Sequence, residues 1–197
     1  MDLRLERGKS TRDRLIAAAT ELFGERGYDG TSIGAVLEAA GVARGALYHH
    51  FPSKEALFDA VLDRVVAEIA ATTAEAARAA DDPVASLRAG CDAWLQLALD
   101  PAVQRIALLD PPAVVGWTRW RELDERYTLG GLRASLARIA ETGRLPKGDV
   151  DLLAHMVLAS VNEAALLIAR ADDPDAALAS GRAAVDTLLT RLVGPSS

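Results

Sequence analysis

TSIGAVLEAAGVARGALYHHFPSKEAL, residues 31–57, is the stretch whose punctuation decides the fold. Thr31 can cap a short helix running through Leu37 to Ala40, and Gly41 stops it. Ala43 to His49 supports about two further turns. They must end near Phe51, because Pro52 disfavours the helical conformation in the residue before it. Ser53 is a good N-cap and Glu55 complements a helix dipole, so another helix opens there with Leu57, Phe58, Val61, Leu62, Val65 and Ile69 on one stripe. Two short helices joined by a turn on a glycine make a helix-turn-helix, whose second helix lies in the major groove of DNA.

The side chains around this unit suit that task. The hydroxyls of Thr31 and Ser32 stand at one helix N-terminus and Lys54 at another, where phosphate is favoured, and Tyr48 and His49 can add contacts. Arg44 can present a fork to the N7 and O6 of guanine. Gly45 and Ala46 behind it are small enough to let the backbone approach the groove floor. His49 and His50 point roughly 100° apart on a helix, so they are not the i, i+4 pair that chelates a metal.

Upstream, Leu15, Ile16, Ala19, Leu22 and Phe23 follow the rhythm of one helical face, predicting a helix from near Thr11 to Arg26. Residues 1–10 read as a cationic arm. The 197 residues carry a formal charge of −6, which by itself argues against an anionic partner. The charge is unevenly spread: up to Lys54 there are eight Lys/Arg against seven Asp/Glu, and after it fourteen against twenty-one. The acid lies outside the expected reading head.

The order and spacing of G-V-A-R-G-A-L-Y-H-H-F-P-S-K-E-A-L, preceded by T-S and by a helix ending L-F-x-x-x-G-Y, resembles the DNA-binding domain of the TetR family of bacterial transcriptional regulators. The resemblance covers about residues 11–57. It implies a three-helix DNA-binding domain at 1–54, counting the arm, and a helical ligand-binding and dimerisation domain at 55–197. It also implies a homodimeric regulator, usually a repressor, released from a palindromic operator by a small molecule. Thr31, Arg44, Gly45, Tyr48, His49 and Lys54 match positions that commonly touch DNA in the family, and Phe51 matches a core position. Ala43 stands where the family commonly has Ser or Thr, and Leu37 where a small Ala is usual.

The remainder reads as all-α, about nine helices in total, since no stretch alternates long enough for a strand. Trp94, Trp117, Trp120 and Tyr127, with the small Ala98 one turn beyond Trp94, could line a cavity for an apolar or aromatic effector. His155 and Asn162, seven apart on an apolar helix, could add polar contacts there, and a satisfied polar pair in the core or a dimer register device is the favoured reading of them. Core packing explains the aromatics equally well. Two closing helices carry stripes suited to a dimer interface: Leu153, Val157, Ser160, Ala164 and Leu167 on one, Ala177, Gly181, Ala184, Leu188 and Leu192 on the other.

Other classes find little support. There is no identifiable base–nucleophile motif, and the segment from Gly30 to Gly34 lacks the spacing of a phosphate-binding loop. The single Cys91 lies on an apolar stripe, as a buried inert thiol would, so neither enzyme, metal nor cofactor is expected. No apolar run is read as a membrane span, and the charged first fifteen residues do not suit a signal peptide, so a cytoplasmic location is expected. The rival reading is a helical small-molecule-binding or enzymatic protein with a vestigial DNA-binding domain.

Overall fold

The computed structural model describes residues 3–145 and 149–193, with side chains from Ser10 onward. Every regular element among the described residues is helical. The chain clusters into two compact units, Met1–Val65 with Pro101–Trp120, and Val66–Asp100 with Arg121–Ser197.

In the first unit, α1 (Leu3–Gly30) begins well before the expected Thr11, so the backbone of the expected arm is already helical from Leu3. The side chains of Arg4, Arg7 and Lys9 lie outside the described residues. The predicted stripe is the buried one: Leu15, Ile16, Ala19, Leu22 and Phe23 are all internal. Gly27, at φ +72°, kinks α1, a conformation that a side chain would strain. Beyond the kink come α2 (Ile33–Ala40), α3 (Arg44–His50) and α4 (Lys54–Arg78), in the predicted order. Phe23, Tyr28 and Phe58 form an aromatic knot with ring centroids 5.1–5.9 Å apart.

Residues 101–120 also belong to this first unit. The expected division at 54/55 assigned them to the ligand-binding region, and their contacts show why they cluster differently. α6 (Pro101–Val103) passes so close to α1 that a Cβ on Gly24 would come within 2.7 Å of the Ala102 Cβ. Helix α6 continues as a π-helical segment, Gln104–Leu109, from which Arg105 donates to the carbonyls of Gly24 and Glu25. The Asp110 carboxylate then accepts from the Tyr28 N–H at 2.8 Å. Short α7 (Pro111–Val114) and the start of α8 (Trp117–Asp124) follow.

In the second unit, α5 (Pro83–Leu97) opens with Asp82 accepting from the amides of Val84 and Ala85 and with Pro83 in its first turn. After α8 a second π-helical segment, Glu125–Leu129, leads into α9 (Gly130–Glu141). Asp149 caps α10 (Val150–Ala169), and Asp173 accepts from the Ala176 amide at the head of α11 (Pro174–Val193). The core joins Leu87, Cys91 and Leu95 of α5 to Leu136 and Ile139 of α9, with Ala154, Leu158 and Ala165 of α10 and Leu189 of α11. Cys91 is buried as expected, and burial pushes its thiol up to about 12. One correction concerns α10: it is long and apolar enough by length and composition to cross a membrane, although no such run was read in the sequence. Its buried face packs against α5, α9 and α11, and Asn162 and Glu163 interrupt the run.

Candidate nucleic-acid interface

The helix-turn-helix is held by three local devices. Ser32, not Thr31, is the N-cap of α2, its hydroxyl accepting from the Ala35 amide at 3.1 Å. Gly41, at φ +60°, closes α2 in the left-handed region while the amides of Gly41 and Val42 return to the carbonyls of Glu38 and Leu37. From α1, Arg14 donates to the remaining carbonyls at the turn, those of Ala40 and Gly41. A guanidinium at a helix C-terminus is also favoured by the helix dipole. Arg14 therefore spends its charge on the turn itself.

Thr31 requires a correction. It is 1% exposed, and its hydroxyl donates to the carbonyls of Leu22 at 3.0 Å and Gly27 at 2.9 Å. The kink at Gly27 folds it under the end of α1, so it fastens the unit internally and offers nothing to a phosphate. Ser32 remains at the surface.

Helix α3 presents the rest. Leu47 is buried and seats the helix, while Arg44, Gly45, Tyr48 and His49 are exposed and Ala46 is half-buried. Arg44 and Tyr48 make no hydrogen bond or ion pair with any described residue. Ala43 is the N-cap without a side-chain bond, the consequence of lacking a hydroxyl there. Gly45 has an ordinary helical φ, and a Cβ on it would meet nothing within 4 Å. A glycine in a helix costs about 0.5–1 kcal/mol against alanine, and nothing inside the fold requires this one. Lys54 sits 4.1 Å from the Tyr28 ring centroid, and the Arg12 guanidinium lies 5.3 Å from that of Phe51. Phe51 itself is a core residue, as the resemblance implied.

The expected effector residues are only partly brought together. In the second unit the Trp94 indole N–H donates to Asn162 Oδ1 at 2.9 Å, and Asn162 Nδ2 donates to Asp124 Oδ2 at 3.0 Å. Asp124 was missed in the sequence, although it falls seven residues after Trp117 and four after Trp120, an acid on an aromatic stripe. Burial pushes its carboxyl up to about 6 against the opposing pull of Arg121 and Asn162. Tyr127 is half-buried in the second π-helical segment, and His155 is half-buried without a hydrogen bond to any described residue. Trp117 and Trp120 belong to the first unit instead, paired edge to face at 5.1 Å, with Trp117 62% exposed and Trp120 donating to the Ala107 carbonyl. Ala98 has no accessible surface, so it bounds no space for a ligand.

Residues 15–61 match the family model of bacterial regulatory proteins of the tetR family, and residues 84–192 match that of the tetracyclin repressor-like C-terminal domain. The chain belongs to the TetR family. It is a DNA-binding transcriptional regulator. Among its relatives, the HTH-type transcriptional repressor AcnR of Corynebacterium efficiens is 31% identical over 159 residues, covering 77% of this chain and 78% of that protein. UidR of Escherichia coli, an HTH-type transcriptional regulator, is 40% identical over 62 residues, 32% of each chain. A TetR-family regulator from Pectobacterium atrosepticum superposes with a TM-score of 0.87 at 34% identity, covering all of both chains. The local match to UidR is higher in identity than the match to AcnR, which spans both family regions.

Proposed function

We propose that this TetR-family regulator is a homodimeric repressor that reads a palindromic operator through α3 and is released by a small molecule held in the second unit. The observation that carries the DNA half is the outward face of α3: an exposed arginine with no internal partner, followed by a glycine that the fold does not need. Arg44 supplies base recognition, Tyr48, His49, Ser32 and Lys54 supply backbone contacts, and Gly45 permits close approach. Gel-shift titration of Arg44→Ala and Tyr48→Ala proteins on the regulator's own promoter tests this; unchanged affinity with an unchanged salt slope overturns it.

The dimer reading is supported by a second surface. Leu152, Met156 and Leu167 of α10 and Leu188 of α11 are large, apolar and 40–60% exposed. The expected stripe changes at its first two positions, where Leu152 and Met156 replace Leu153 and Val157: Val157 is 3% exposed and belongs to the subunit core, and Leu153 and Ala164 are half-buried. Gly181 also faces inward, since a Cβ there would stand 3.2 Å from Ile168 Cδ1. Ala177 and Leu192 are likewise half-buried. The interface we propose centres on Leu152, Met156, Ser160 and Leu167, with Ala184 and Leu188, and two such subunits hold their α3 helices about 34–36 Å apart. Effector binding favours a conformer in which α3 fits successive grooves less well, with α4, which carries residues of both units, transmitting the change. Such a regulator works in the cytoplasm.

A further inference from the structure

We propose that Asp124 is the anchor for the effector, and that the effector is a small neutral molecule presenting a hydroxyl donor, a phenol or an alcohol, to Asp124 Oδ1. This rests on reading the second unit as the effector domain, and it names the chemistry that the domain selects.

The arrangement around Asp124 is directional. An indole N–H can only donate, so Trp94 fixes the Asn162 carbonyl oxygen towards itself. The amide nitrogen of Asn162 is thereby turned to Asp124 and donates to Oδ2. One carboxylate oxygen is thus claimed by a locked donor, while Oδ1 accepts from no described residue. The side chain retains 17% of its surface, so this oxygen is held in one orientation in a largely dry setting. A hydrogen bond made there to a charged acceptor is stronger than in water.

The charges acting on the site decide the ligand class. Arg121 lies 4.0 Å from Oδ2 and Glu125 adds a second negative charge nearby; α5 and α10 contribute the uncharged Trp94 and Asn162. An anionic effector would meet two carboxylates. A full cation would compete with Arg121 for the same group. A neutral O–H donor meets neither penalty and completes the acceptor.

Asp124 also stands at a place where the helix can yield. It ends α8 immediately before the π-helical turn Glu125–Leu129, a form that is rare and recurs at functional sites. Gly130 and Gly131 follow directly, and neither would bring a Cβ within 4 Å of anything, so packing does not require them. Each weakens the helix relative to alanine. Drawing the Asp124 carboxylate towards a ligand acts on a segment whose register is weakly held.

Calorimetric titration of the full-length protein with phenol, with anisole, whose oxygen carries no proton, and with benzoate tests the proposal at a pH where Asp124 is ionised. Phenol is expected to bind at one site per chain and to be preferred over both others by roughly tenfold. Asp124→Ala should abolish that preference. Trp94 emission, read in the Trp117→Phe, Trp120→Phe background, should titrate near pH 6, and Asp124→Asn should remove that titration. Equal affinity for phenol and anisole, an unaltered preference in Asp124→Ala, or no phenol binding overturns the proposal. Promoter retention by the same variants, measured in parallel, reports on the regulator reading separately: it should persist whichever way the titration falls.

Discussion

Helix α3 and the seam between α5 and α11 treat their arginines in opposite ways. In the head, Arg44 on α3 is exposed and makes no internal bond. At the seam the arginines are spent on neighbours: Arg88 of α5 pairs with Asp186, and Arg182 of α11 pairs with Asp92, bracing the two helices. Unspent charge is what an anionic polymer can use, whereas exposed pairs contribute little to stability and leave nothing for an outside partner. The formal charge of −6 therefore says little about DNA binding; the distribution of partners says more.

Breaking the comparison at its strongest point, Arg44→Ala should lower promoter affinity roughly ten- to a hundred-fold in gel-shift titration and relax discrimination at one base position, with thermal stability unchanged. Arg182→Ala should leave promoter affinity as it is. Next, Gly41→Ala places a Cβ in the left-handed region and 3.1 Å from Arg14 Nη2. It should cost about 1–2 kcal/mol of stability in denaturant unfolding, and Arg14→Ala should weaken promoter binding with a smaller loss of stability. Asp124→Asn changes pH dependence. The folded-state carboxyl is raised to about 6 from an ordinary value near 3.8. The wild-type fold is therefore favoured below the ordinary value and loses that contribution as pH rises through about 6; unfolding midpoints of the variant should lack this decline. The smallest effect is the most diagnostic. Gly45→Ala should stabilise the head by about 0.5–1 kcal/mol while weakening promoter binding, and a stabilised protein that binds equally well would show that α3 does not approach DNA through this residue.

Elements with punctuation in the sequence were legible. Pro52, Ser53 and Gly41 bound α3, α4 and α2 where the structure has them, because each acts on backbone dihedrals within a residue or two of itself. The buried stripe of α1 and the inert Cys91 were legible through helical periodicity. Thr31 misled because a hydroxyl at a helix start looks the same whether it caps or is folded under; the kink at Gly27, set by a dihedral, decided between them. Val157 and Gly181 misled for a related reason. On an apolar helix such as α10, neighbouring residues point about 100° apart, so adjacent apolar side chains fall on different faces, and composition does not fix which of them turns inward.

By itself the sequence determined an all-helical chain, the order of its first four helices, and a DNA-reading motif with its arginine and glycine. These follow from local backbone preferences and from side chains whose chemistry is independent of context. Only the tertiary structure decided that residues 101–120 cluster with the head, that Ser32 rather than Thr31 stays at the surface, and that Asp124 joins Trp94 and Asn162. Each of those depends on contacts between residues 9 to 82 positions apart. Such contacts arise when separate helices pack and settle their rotations together, a choice that spacing along one helix does not contain.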